Sequence, residues 1–135
     1  MEAKDLMIGD YVYNHRNWEC PIVEIHKNSA IVIARHYGEE EFLLSDLRPI
    51  PLTTEILEKN GFVENRGFTS WKFETDRGDL IDIYGVNEYH LSINIEDTHG
   101  SGKGYRWMLD NLTIFYVHQL QHALRLCGIT KEIEL

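Results

Sequence analysis

His118 and His122, within the run His118-Gln119-Leu120-Gln121-His122, are the residues whose types and spacing come nearest to catalytic chemistry. Four apart on a helix, two imidazoles share one face at a separation that a zinc ion bridges. The run resembles the frame of the H-E-x-x-H zinc hydrolases, in which the glutamate takes a proton from metal-bound water. Gln119 stands in that place here, and a neutral amide takes no proton at useful pH. A third ligand has to come from elsewhere, and His90, His99 and Asp97 are the candidates. A metal-dependent hydrolase is thus the alternative reading; the preferred one is a pair of solvated polar side chains opposite the helix's apolar stripe.

Two other features invite chemistry and fail on spacing. Gly100-Ser101-Gly102-Lys103-Gly104 suggests a phosphate cradle, but Asp97 stands where the first glycine of a P-loop belongs and Gly104 where its hydroxyl residue belongs. A flexible hairpin loop is the better account, with Lys103 available to an anionic partner. Cys20 and Cys127 lie far apart without metal-type spacing, so they read as reduced core thiols. No serine, histidine and acid set stands out, so no catalytic residue and no cofactor are expected.

The histidines sit on the last long apolar segment, Asn111 to Gly128, read as one amphipathic helix with Tyr116, Val117, Leu120, Ala123, Leu124 and Cys127 on its core side. It is expected to cover an antiparallel meander. Alternating apolar residues place strands around Phe68–Glu74, Leu80–Tyr84 and Tyr89–Ile95, with a further short strand near Tyr105–Met108. Before the meander, Thr53 is a suitable N-cap, and Gly61-Phe62 matches a helix end that folds back on Leu57. Leu124, Gly128 and Ile129 repeat that closing pattern, and Ile133 and Leu135 suggest a short terminal strand.

In residues 1–50, within Leu6–Tyr13, a Gly9-Asp10 turn signal stands just before a short β-prone run. Strand signals follow at Cys20–His26, Ala30–Ala34 and Glu41–Leu44, then a helical turn at Ser45-Asp46-Leu47 and a proline-bearing edge strand at Arg48–Pro51. Five short strands with a turn before the fifth predict a small SH3-like β-barrel. The fold class is therefore α+β: a barrel subdomain at 1–50, then a helix, meander and helix subdomain at 53–135, packed as one compact unit. Tyr11, Tyr13, Trp18 and Tyr37, with Glu39-Glu40-Glu41, supply the aromatic and acidic types of a peptide-binding groove. Packing of the tyrosines within the barrel, with the glutamates as a solvated turn, is the preferred account, because such a fold hosts many functions. His15-Arg16-Asn17-Trp18 forms a polar loop tip that serves as a contact point for a partner or as a cap on the barrel.

Charge narrows the partners. The net charge of −9 divides as −4 over residues 1–50, with five basic and nine acidic residues, and −5 over the remainder, with eight and thirteen. Neither half is basic, so non-specific nucleic-acid binding is disfavoured. No apolar run is long enough to cross a bilayer, and the opening residues lack a secretion-signal pattern, so a cytoplasmic protein without a membrane partner is expected. A homo-oligomer stays open.

The phrases LRPIPLTTEILEKNGF, residues 47–62, and YVHQLQHALRLCGITKEIEL, residues 116–135, resemble those of small uncharacterised proteins of gut Bacteroidales and their phages and prophages. The resemblance implies a mobile-element context and carries no activity or functional residues with it. The resulting expectation is a non-enzymatic accessory protein acting on an unknown protein partner. Nucleic-acid binding is a further alternative.

Overall fold

The computed structural model describes residues 1–65, 69–85, 88–97 and 104–135. The fold is α+β, with two antiparallel five-stranded sheets and two α-helices. The chain forms two compact units: Met1–Pro51 with Tyr116–His122, and Leu52–Phe115 with Ala123–Leu135. Among the described residues, no helix is long and apolar enough to cross a membrane.

In the first unit a 3-10 turn at Ala3–Asp5 precedes β1 (Tyr11–Tyr13), β2 (Glu19–Ile25), β3 (Ser29–Ala34) and β4 (Gly38–Leu43). A second 3-10 turn, Leu44–Asp46, leads into β5 (Arg48–Pro49). The strand order is β4-β3-β2-β1-β5, so the first strand lies between the second and the last. Alternation does the sorting: Val12, Cys20, Ile22, Ala30, Val32 and Ala34 are buried together with Leu6, Leu44 and Leu47, while the intervening residues are more exposed. A register shift between Ile22 and Glu24 interrupts the pairing of β2 with β3. The proline-bearing β5 is an edge strand, where a missing N–H costs no ladder bond.

The second unit opens with helix α1 (Thr54–Lys59). Thr53 caps it by accepting from the Ile56 N–H at 3.3 Å. At its other end Gly61 takes φ +85°, while the Phe62 N–H reaches Leu57 O at 3.0 Å and the Gly61 N–H reaches Glu58 O at 3.1 Å. These are the two bonds of a Schellman close, with Leu57 and Phe62 both buried. Strands β6 (Val63–Asn65), β7 (Ser70–Glu74), β8 (Leu80–Tyr84), β9 (Tyr89–Asp97) and β10 (Gly104–Ile114) then form a meander in the order β10-β9-β8-β7-β6. Trp71, Ile81, Ile83, Leu91 and Ile93 are buried, whereas Lys72 and Glu74 stay exposed.

Three expectations change. The last helix, α2, runs from Val117 to Leu126, not from Asn111. Residues 111–114 belong instead to β10, which is much longer than the short strand expected near Tyr105–Met108. Leu112, Thr113 and Ile114 pair with Leu91, His90 and Tyr89; of two register shifts, one falls between Trp107 and Leu109 and the other, between Leu109 and Leu112, spans Asn111, whose φ is +56°. Its N–H donates to Ser92 Oγ at 3.1 Å, and its side-chain oxygen accepts from the Tyr84 hydroxyl at 2.7 Å. β-Branched and aromatic residues from Thr113 to Tyr116 fit a strand at least as well as a helix, and pairing decided between them.

The terminal segment is not a strand. Ile133 is buried as its alternation implies, but Glu134 is held by the Asn60 side chain, which accepts from its N–H at 2.7 Å and donates to its carbonyl at 2.8 Å. One amide therefore does the work of a neighbouring strand. The Gly100–Gly104 loop reading, His99 and the Phe68 end of the first predicted meander strand concern residues at or beyond the edge of those described.

Candidate functional site

Two clusters of the first unit hold the residues singled out from the sequence. One is on the first half of α2. Its N-terminus is set by Gln119, whose side-chain oxygen accepts from the Tyr116 N–H at 3.1 Å, the return half of a capping box. The residue in the place of a missing catalytic glutamate is thus a helix cap.

Gln121 reaches back to the approach to β1. Its amide oxygen accepts from the Tyr11 N–H at 3.2 Å and its amide nitrogen donates to Gly9 O at 3.1 Å, so it pairs with a backbone edge as a strand would. His122 Nε2 lies 2.6 Å from Asp10 Oδ2, and the same oxygen accepts from the Met7 N–H at 2.7 Å. Asp10 is wholly buried. A carboxylate withdrawn from water requires such partners.

The reading of the histidines as two solvated residues is corrected by the burial of His118 and by the contact of half-buried His122 with Asp10. His118 is 6% exposed and Gln121 equally so, because this polar stripe faces the start of β1 rather than solvent. The His118 ring stacks on Tyr116 at 5.8 Å and meets His122 edge-on at 5.5 Å. Its Nδ1 is buried without a hydrogen-bond partner. Burial pushes its pKa below the usual histidine value; Asp10 opposes that shift, His122 adds to it and Asp5 opposes it. Among the described residues, no group of three or more His, Cys, Asp or Glu side chains is arranged to hold a metal ion.

The second cluster lies on the loops of the N-terminal sheet. Trp18 and Tyr37, distant in sequence, stack with ring centroids 5.1 Å apart. The Arg16 guanidinium carbon lies 4.9 Å from the Trp18 ring centroid and 5.3 Å from that of Tyr37. Trp18 is 36% exposed and Tyr37 61%. The turn that projects this group is built by Asn14, whose side-chain oxygen accepts from the N–H groups of Arg16 and Trp18 at 2.9 and 3.0 Å, while Asn17 takes φ +59°. Beside the stack lies a depression of about 620 Å³ lined by Asn17, Trp18, Glu19, Arg35, His36 and Tyr37.

Tyr11 and Tyr13 do not join it. Tyr13 is half-buried with Arg48 over its ring at 5.7 Å, and Arg48 also bonds the Asn17 side chain. Tyr11 is half-buried on β1, in register with Pro21. Of the acidic run, Glu41 accepts from the Ser29 hydroxyl at 2.7 Å. The sequence marked Arg16 and Trp18 within one polar loop tip and Tyr37 among the aromatics, but not the stacking that joins the three. Cys20 and Cys127 are buried free thiols, both with pKa raised by burial.

Fold and clusters define a small α+β protein that presents an exposed aromatic and guanidinium surface on the loops of its first sheet. No protein-family model matches the chain, and no curated protein or solved structure matches it significantly.

Proposed function

We propose that this protein is a non-enzymatic interaction module, a cytoplasmic accessory protein of phage or prophage context, which binds a protein partner through Arg16, Trp18 and Tyr37. The observation that carries the reading is the exposed three-member stack. Tryptophan, tyrosine and arginine are the residues in which binding energy concentrates at protein interfaces. Stacked against one another, they present a large, partly pre-ordered contact area that loses little side-chain freedom on binding.

The same reading takes the first unit as an SH3-like barrel. Its support is the strand order, with the first strand between the second and fifth, and the 3-10 turn before the fifth. A metal-dependent hydrolase has less support, since His122 is engaged by Asp10 and Gln119 caps the helix.

The test is a pull-down from the native host with intact protein, comparing wild type with Trp18→Ala and Tyr37→Ala. A specific protein retained by wild type and lost by both folded variants is the expected result. Equal retention by all three overturns the reading. Capture of DNA or RNA that salt releases, instead of a protein, assigns the surface to nucleic acid and also overturns it.

A further inference from the structure

The second unit carries a pocket that the interaction surface does not use. It measures about 270 Å³ and is lined by the β7–β8 turn (Thr75, Asp76, Arg77, Asp79), by Phe73, and by the segment after α2 from Gly128 to Lys131. Its volume falls near the lower end of ligand pockets, which span roughly 300–1,000 Å³, so it suits a compact metabolite rather than a nucleotide cofactor.

Three features of this pocket point to a ligand. Arg77 is fixed from one side: its Nε and Nη2 donate to Asp79 Oδ2 at 3.0 and 2.7 Å, and Asp79 is 2% exposed. Nη2 also reaches the Gly128 carbonyl at 3.4 Å, and Nη1 makes no hydrogen bond among the described residues, although the guanidinium itself is largely exposed. A guanidinium oriented by a buried acid, with Nη1 left over, is pre-ordered to meet a second carboxylate. Lys131 adds a charge without an ion-pair partner among the described residues; its ammonium rests 4.3 Å from the centroid of the Phe73 ring. The Thr75 hydroxyl oxygen accepts from the Asp79 N–H at 3.0 Å, which leaves its hydrogen free to donate.

We propose that this pocket binds a small organic monocarboxylate, with Arg77 and Lys131 taking the anionic end and Phe73 flanking its apolar body. Asp76 on the rim and the carbonyl end of α2 set the charge limit. Asp79 already balances Arg77, so Lys131 is the one cation of the pocket not so paired among the described residues, and the pocket takes at most one negative charge and disfavours a dianion. Inorganic phosphate is therefore the discriminating competitor.

The experiment is a titration of the full-length, isotope-labelled chain with sodium isobutyrate, and separately with inorganic phosphate, at matched ionic strength. Saturable shifts at the Arg77 Nε–H and the Thr130 and Lys131 amides are expected with isobutyrate, with dissociation constants in the millimolar range typical of ~4 kcal/mol. Lys131→Met, a substitution at a half-exposed position, should weaken binding about tenfold, as should Arg77→Lys, which keeps the charge but loses the fork. No saturation with wild type, unchanged binding by folded Lys131→Met, or equally tight binding of phosphate each overturns the assignment.

Discussion

Asp10 in the first unit and Asp79 in the second are both carboxylates withdrawn from water, and the chain compensates them differently. Asp10 accepts from a backbone N–H and from His122, a partner charged only when protonated. Asp79 accepts twice from Arg77, which is charged at every accessible pH, and its own N–H goes to Thr75. The comparison separates a contact of long range from one of short range. His122 lies 112 residues from Asp10, so it closes the first unit across the chain; Arg77 lies two residues from Asp79 and closes one hairpin. Each device compensates a buried charge, but only the first also fixes topology.

The largest effect should come from stranding one of these charges. Arg77→Ala leaves Asp79 buried without a cation, and unfolding in urea should show a loss of about 3 kcal/mol, the lower end for broken buried pairs because Arg77 itself is largely exposed. His122→Ala should cost about 2 kcal/mol, since the Met7 N–H still serves Asp10. A larger loss from His122→Ala than from Arg77→Ala would invert the comparison. Replacing both Arg77 and Asp79 by apolar residues should recover part of the Arg77→Ala loss, because no buried charge is then left unpaired.

Next in size is a pH effect confined to the first unit. The folded-state pKa of His118 lies below its unfolded value, so the unfolded chain takes up the proton first on acidification. Stability contributed by the neutral ring is complete above the ordinary histidine range, near 6.5, and declines as pH falls below it. His118 is faced by Asp10, His122 and Asp5, and the aspartates soften the decline without reversing it. Melting temperatures between about pH 8 and pH 5 should therefore fall less steeply for His118→Gln than for wild type. Parallel curves would show that the ring carries none of the acid sensitivity.

These contrasts follow what could be read along the chain. Both helix ends were legible because a Schellman close is local: Gly61 and Gly128, at φ +85° and +70°, sit one residue before the apolar residue that folds back. Thr53 was legible for the same reason. The start of α2 was not, since the amphipathic period continues through Asn111–Tyr116 while the strand that pairs with β9 claims residues up to Ile114. Nor could the sequence reveal that His118, Gln121 and His122 face inward, because the groups they meet, Gly9 to Tyr11, are more than 100 residues away. Aromatic types marked Trp18 and Tyr37, whereas their stacking and the role of Arg16 depend on two loops brought together by β2 and β3.

The smallest predicted effect tests whether the local device is itself composite. Thr75 and Asp79 close their turn with two bonds: the Thr75 N–H to Asp79 O at 2.9 Å, and the Asp79 N–H to Thr75 Oγ1 at 3.0 Å. Thr75→Val preserves shape and the first bond and removes only the second, so it should cost about 1 kcal/mol by urea denaturation. In combination with Arg77→Ala the two losses should fall short of their sum by roughly 1 kcal/mol, because a turn no longer held by the hydroxyl presents Asp79 less rigidly to Arg77. Strict additivity would mean that the guanidinium alone positions the carboxylate, leaving the hydroxyl no part in ordering it.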